Sequence, residues 1–265
     1  MKKVVLITGT SSGLGLALAI FLHQKGYHVY GTSRKPTATM PWNMLQMDVT
    51  DGNSITSAVD AILQQEGQID ILINNAGIGL AGPMEHLELT NIQRVFDTNV
   101  FGVVRMCKAV LPAMRKQGAG RIINIGSIGG EMGLPFRGLY SATKAALALA
   151  TDALRHEVSD FGIQCCTVLA GDLATAINDH RIKDWKPEDE GYSARFEQAY
   201  AAMDKNVEKG LSANKAAQRI ENLLHVKRLR NRYAIGTPMQ ELAVLLNKLL
   251  PSPWVEWLIS QYGKK

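Results

Sequence analysis

Short apolar runs alternate with longer amphipathic ones along most of the chain. Residues 3–8 are apolar and rich in β-branched side chains, which predicts a buried first strand. Apolar positions at helical spacing over 14–25 predict a helix directly after it. Further strands are predicted over 28–33, 44–47, 69–73, 121–125 and 163–169, with a short last one over 232–235. Between them the period becomes helical over 51–66, 91–96, 100–115 and 139–161, and Asp51 is placed to cap the first of these. Strands that alternate with helices imply parallel pairing and right-handed crossovers. The predicted class is therefore α/β, a doubly wound parallel sheet, with residues 1–265 forming a single domain.

Beyond the strand at 163–169 the alternation breaks. Residues 175–211 mix polar positions with scattered aromatics and predict one helix, over 193–207. A segment of this kind is expected to act as a substrate lid. Residues 212–225 predict a capped helix. The C-terminal segment 238–261 carries apolar helical stretches over 242–250 and 254–259, split by Pro251 and Pro253. It is expected to pack over the substrate pocket or against a second subunit, rather than on a membrane.

The first turn carries the first chemistry. Gly9-Thr10-Ser11-Ser12-Gly13-Leu14-Gly15 joins a strand to a helix, which is the context a phosphate-binding loop needs. Small residues let the backbone approach a pyrophosphate, and the helix N-terminus offers open N–H groups and a positive dipole end. The sheet is thus expected to be Rossmann-type. At the end of the second strand an NAD enzyme usually presents an acidic residue to the ribose 2′-hydroxyl. Ser33-Arg34-Lys35 stand there instead. A guanidinium binds a 2′-phosphate in bidentate fashion, so Arg34 points to NADP(H) over NAD(H).

Tyr140 and Lys144 stand at i and i+4 near the start of the helix predicted over 139–161, on one face and a turn apart. An ammonium beside a phenol stabilises the phenolate, so such a pair can exchange a proton with a substrate oxygen. With Ser127 at the end of a strand, the glycine loop, Asn74-Asn75-Ala76-Gly77 and Asn99, this set resembles the short-chain dehydrogenase/reductase family. Ser127 lies thirteen residues before Tyr140, the separation that family uses. Segments around Val95–Val100 and Gly126–Phe136 are similar to its 17β-hydroxysteroid and retinol dehydrogenase branch.

The resemblance implies roles residue by residue. Tyr140 would be the general acid in reduction and the base in oxidation. Ser127 would hold the substrate oxygen, and Lys144 would stabilise the phenolate and bind the nicotinamide ribose. Asn99 would hold a water that relays protons from Lys144. Gly9, Ser11, Ser12, Gly13, Leu14 and Gly15 would bind the pyrophosphate. Asp48 and Val49 would flank the adenine, and Asn74, Asn75, Ala76 and Gly77 would line its ribose. Leu173 and Thr175 would reach the nicotinamide amide. One departure stands out: the family commonly has Pro-Gly where this chain has Ala170-Gly171, and loss of the proline is expected to loosen that loop. Family members usually form homodimers or homotetramers.

Composition limits the other readings. A length of 265 residues with 46% hydrophobic content suits one α/β domain. The net charge of +5 sets 29 basic residues against 24 acidic ones, too small an excess to argue for nucleic acid. The basic run 225–232 reads as a solvated helix end. Cys107, Cys165 and Cys166 show neither metal spacing nor a disulfide framework, and His86, His180 and His225 are scattered. No metal is expected, and the cytoplasm is the expected location. The expected function is an NADP(H)-dependent oxidoreductase that interconverts a ketone or aldehyde and an alcohol on a hydrophobic substrate: steroid, retinoid or fatty-chain carbonyl. The rival readings are a non-catalytic NADP(H) sensor or scaffold on the same fold, and an epimerase or dehydratase.

Overall fold

The computed structural model describes residues 2–36, 39–175, 181–185 and 191–260. The first half follows the predicted alternation: β1 (Val4–Ile7), α1 (Gly13–Gln24), β2 (His28–Ser33), β3 (Asn43–Gln46), α2 (Gly52–Glu66) and β4 (Ile71–Asn74). A two-residue strand, β5 (Leu80–Ala81), precedes α3 (Leu89–Phe96) and α4 (Gly102–Gln117). Then come β6 (Gly120–Ser127), α5 (Gly138–Glu157) and β7 (Ile163–Ala170). The remainder holds β8 (Leu173–Ala174), β9 (Ile182–Lys183), α6 (Ser193–Glu208), β10 (Leu211–Ser212), α7 (Ala213–Leu223), β11 (Arg232–Ile235), α8 (Pro238–Leu249) and α9 (Ser252–Ser260).

Seven strands form one parallel sheet in the order β11-β7-β6-β4-β1-β2-β3. The strand order reverses between β1 and β4, which opens a crevice at the carboxyl ends of the strands. Helices cover both faces, so the strands are apolar almost throughout. Leu18, Leu22, Ile73, Ile123, Val168 and Ile220 pack on one face. Leu6, Ile62, Leu72, Val110, Ile122 and Cys165 pack on the other. Each such side chain contributes roughly 1.5–3 kcal/mol by burial. All three cysteines are buried, and desolvation pushes their thiols up to about 12.

The sequence left a gap between helices over 91–96 and 100–115. The structure fills it with a π-helical turn, Asp97–Phe101, that joins α3 to α4 without a break. Gly102 N–H reaches back five residues to the Asp97 carbonyl. The wider turn brings Asn99 fully inside. Helix α5 ends at Glu157, and Ser159–Phe161 is a separate 3₁₀ turn. Helix α8 starts at Pro238, four residues before the predicted start at 242, with Thr237 and Gln240 in a reciprocal capping box.

The basic run departs further from expectation. Helix α7 stops at Leu223, so residues 225–231 are a loop and not a helix end. Arg232 is mostly buried, and its guanidinium pairs with Glu131 at 2.5 Å and Asp152 at 2.6 Å.

The described part of 175–211 is tied down beside the sheet. β9 pairs in parallel with β5, Leu80 opposite Ile182. The Asp184 carboxylate accepts from the Glu88 N–H at 2.8 Å and the Asn91 amide at 3.0 Å. Lys183 bonds Glu197 at 3.0 Å and lies over the rings of Trp185, Phe196 and Tyr200. Residues 176–180, which include His180, together with 186–190 and 261, belong to the predicted segments but lie outside the described residues.

Candidate active site

The carboxyl ends of β1, β2, β4, β6 and β7 open into one cleft of about 1970 Å³. Its floor is the turn after β1. The Thr8 hydroxyl accepts from the N–H groups of Asn75 and Ala76, both at 3.0 Å, which fastens that turn to the end of β4. The Asn75 amide donates to the carbonyls of Thr8 at 2.9 Å and Gly9 at 3.0 Å. Gly9 has φ +72°, and a side chain there would meet Ala76 Cα at 3.0 Å. Gly13, at φ +58°, starts α1. The Ser12 side chain makes no capping bond, so the first-turn N–H groups stay open. Ser11, Ser12, Gly13 and Leu14 line the cleft there, a cradle suited to an anion.

Gly15 and Asn74 take other places. Neither lines the cleft. A Cβ on Gly15 would lie 2.1 Å from the Gly9 carbonyl, so this glycine lets α1 cross the loop closely. Asn74 is buried and donates to Asn124 at 2.8 Å, and Asn124 donates on to Thr151 at 2.8 Å. Asn74 thus joins β4 to β6 and α5 behind the cleft wall. Asn75, Ala76 and Gly77 do line it.

Arg34 and Lys35 line the cleft beyond β2, beside Thr32 and Ser33. Asp48 and Val49 form the neighbouring wall. The Asp48 carboxylate is used locally, accepting from the Thr50 N–H at 2.9 Å and hydroxyl at 2.8 Å. Val49 packs where a Cβ on Gly102 would lie, 3.0 Å away.

At the other end stand Ser127, Tyr140 and Lys144, all lining the cleft and all nearly buried. Ser127 ends β6, and its hydroxyl accepts from the Gly129 N–H at 3.1 Å. Lys144 Nζ donates to the Ile125 carbonyl at 3.0 Å and lies 5.9 Å from the centre of the Tyr140 ring. Asn99 is beneath them and does not line the cleft. Its amide accepts from the Ile78 N–H and donates to the Ile78 carbonyl, both at 2.9 Å, and to the Thr143 hydroxyl at 3.1 Å. A Cβ on Gly77 would stand 3.2 Å from Asn99 Oδ1 and 3.5 Å from Lys144 Nζ, so this glycine keeps the approach to both open.

Leu173 and Thr175 reach the cleft from the loop after β7, where Thr175 stands over Gly13. The turn after Ala170, where the proline is missing, is tied to β11 and to α8. Gly171 N–H donates to the Ile235 carbonyl at 2.8 Å. Gln240 Oε1 accepts from the Asp172 N–H at 3.3 Å, and its Nε2 donates to the Asp172 carboxylate at 2.6 Å.

Three cleft residues were not read from the sequence. Arg137 places its guanidinium 5.0 Å from the centre of the Tyr140 ring. Its position three residues before the tyrosine was the available signal. Asp172 lines the cleft beyond Gly171. Burial pushes its carboxyl up, against the opposing pull of Arg137, the Gln240 hydrogen bond and Arg181. Gln240 lies 68 residues from its partner, and no local pattern announces it. Among the described residues no group of His, Cys, Asp and Glu is arranged to hold a metal ion.

A family model described as short chain dehydrogenase matches residues 3–186. The chain belongs to the short-chain dehydrogenase family. It is 39% identical over 259 residues to a 3-ketodihydrosphingosine reductase from Bacteroides thetaiotaomicron, covering 97% of this chain and 96% of that one. It is 39% identical over 193 residues to 17-beta-hydroxysteroid dehydrogenase type 1 from Homo sapiens, covering 66% of this chain and 58% of that one. A solved short-chain dehydrogenase from Streptomyces avermitilis superimposes with a TM-score of 0.82 at 30% identity, covering 100% of this chain and 97% of that one. This short-chain dehydrogenase is therefore an oxidoreductase of a family that acts on small molecules with a nicotinamide cofactor. No described helix is long and apolar enough to cross a membrane.

Proposed function

We propose that the enzyme interconverts a ketone or aldehyde and an alcohol with NADP(H), on a hydrophobic substrate for which a fatty-chain ketone is the best-supported choice. The observation that carries this reading is one cleft with an open helix N-terminus at one end and Ser127, Tyr140 and Lys144 at the other. When bound, the nicotinamide supplies the hydride for reduction or accepts it for oxidation. The protein's part is to orient and to move a proton. Ser127 donates a hydrogen bond to the substrate oxygen. Tyr140 gives that oxygen a proton in reduction and takes it back in oxidation. Lys144, anchored on Ile125, offers its remaining N–H bonds to the ribose. Asn99 spends its side chain on Ile78 and Thr143, so a relay water would be held by its main chain.

Arg34 supports the choice of NADP(H): it stands where a carboxylate would repel a 2′-phosphate. Gly9, Ser11, Ser12, Gly13 and Leu14 would cradle the pyrophosphate. Asp48, Val49, Asn75, Ala76 and Gly77 would enclose the adenosine, and Leu173 and Thr175 the nicotinamide amide. Met132, Leu134, Ile182, Val207 and Met239 line the cleft and supply apolar contact for a chain. The match to the reductase of Bacteroides thetaiotaomicron, which runs nearly the whole length of both proteins, supports a fatty-chain ketone over a steroid or retinoid. The segment 175–211 is read as the lid over this end. Phe101, Val104 and Leu149, exposed on and beside α4 and α5, are read as a homo-oligomer contact. The cytoplasm is the location that three reduced cysteines suit best.

Titration with NADPH and NADH tests the cofactor reading, with Trp42 as reporter. Its indole would meet a Cβ on Gly31 of β2 at 2.9 Å, close to the Arg34 corner. Tight NADPH binding and weak NADH binding are expected. Equal binding would retire NADP(H) preference, and binding of neither would overturn the enzyme reading.

A further inference from the structure

Ser141 follows Tyr140 on α5 and is only 5% exposed. Its hydroxyl has no hydrogen-bond partner among the described residues. Other hydroxyls on this helix turn back onto their own backbone: Thr143 donates to the Tyr140 carbonyl and Thr151 to the Leu147 carbonyl, both at 2.7 Å. Ser141 does not. The Arg137 carbonyl, one turn before it, receives the Ser141 N–H at 2.8 Å and not the hydroxyl. A buried hydroxyl left unpaired is unfavourable, so this one calls for a polar partner off its own helix.

Gly129 marks what lies there. A Cβ on Gly129 would stand 3.4 Å from Ser127 Oγ, 3.4 Å from Leu134 Cδ1 and 3.7 Å from Ser141 Oγ. The two hydroxyls thus flank one small space, Ser127 from the end of β6 and Ser141 from α5, and the glycine leaves it unfilled. Gly129 is not among the residues with positive φ, so its backbone does not itself demand a glycine. Ser127 Oγ already accepts from the Gly129 N–H at 3.1 Å. A serine oxygen has two lone pairs, which leaves one for a second donor.

We infer that Ser141 is a positioning residue for Ser127, its hydroxyl joined to Ser127 Oγ through one water in the space beside Gly129. This rests on the oxidoreductase reading above and adds to it a residue behind the serine. A water there has two hydroxyls to bond, which is what a polar site needs to hold one. With two donors on its oxygen, Ser127 keeps its own proton for the substrate oxygen, and each hydrogen bond in the chain polarises the next. Ser141 does not line the cleft and acts only through Ser127.

The test uses the full chain, saturating NADPH and a long-chain ketone, with urea unfolding of the same samples. Ser141→Ala is expected to lower kcat about threefold to tenfold, the effect of one hydrogen bond. KM for the ketone and NADPH affinity should stay close to wild type, and stability should be unchanged or higher. Gly129→Ala fills the space at ordinary contact distances and should lower kcat by a similar factor. In a Ser127→Ala background neither change should lower turnover further, an outcome that a merely structural role would not give. Wild-type kcat in Ser141→Ala, beside a Ser127→Ala that has lost turnover, would overturn the inference and leave the oxidoreductase reading standing. So would a further loss on adding Ser141→Ala to Ser127→Ala. Should Ser141→Ala fail to fold, Gly129→Ala decides the question by the same two outcomes. No turnover of the ketone by the wild type, or wild-type turnover in Ser127→Ala, would overturn both readings.

Discussion

Lys144 donates a 3.0 Å hydrogen bond to the carbonyl of Ile125, two residues before Ser127 on the same strand. The strand that presents the serine thus also fixes the lysine of the facing helix. Thr143, the residue before Lys144, receives the Asn99 amide at 3.1 Å and donates to the Tyr140 carbonyl at 2.7 Å. The side chains of Lys144, Thr143 and Asn99 are thus each fixed by hydrogen bonds before any ligand arrives. Preorganisation of this kind is what positioning for proton and hydride transfer demands.

Removing Asn99 tests that lock. Asn99→Ala strips Ile78 of both its side-chain partners and leaves the Thr143 contact empty. A loss of about 1–3 kcal/mol of stability is expected from buried groups left unpaired. Urea unfolding measures it. The same variant should lose turnover by more than its stability loss explains, measured where both proteins are fully folded.

Arg34→Asp should weaken NADPH binding and bring NADH binding level with it or above. A carboxylate at that corner repels a 2′-phosphate and accepts from a 2′-hydroxyl. Unchanged preference, read by fluorescence titration, would remove Arg34 from the cofactor site.

Much of this site was legible because its chemistry is local. A strand, glycine turn and helix in succession, or a tyrosine and lysine one turn apart, are patterns within a few residues. What escaped was set by distant pairing. Asn74 reads as a cofactor residue next to Asn75, but its neighbour across the sheet is Asn124, and the two amides face each other at 2.8 Å. Arg232 reads as one more surface cation until β11 docks on β7 and brings it to Glu131, 101 residues away. The π turn at Asp97–Phe101 has no propensity signature; it appears because Asn99 must face inward to meet Ile78. Gln240 is likewise invisible until α8 folds over Gly171.

The buried cysteines offer a check on the core. Desolvation pushes Cys107, Cys165 and Cys166 up to about 12, so each thiol stays protonated far above neutral pH. Raising the pH to about 9 should not make the native protein react with a thiol reagent, and denaturant should release all three at once. Rapid labelling of native protein would contradict the packing of α4 or β7.

Leu149 on α5 is 65% exposed and Val104 on α4 is 43% exposed. Leu149→Lys should shift the protein towards monomer in light scattering if these helices form the subunit contact. An unchanged mass would place the contact elsewhere.

The central claim is that Tyr140 moves the proton while other groups bind the cofactor. Tyr140→Phe removes one oxygen and keeps the ring near Arg137 and Lys144. NADPH oxidation with a long-chain ketone, measured beside NADPH titration of the same samples, tests it most directly. The account predicts turnover reduced by about a hundredfold or more, with NADPH affinity close to that of the wild type. Turnover near the wild-type rate would contradict it.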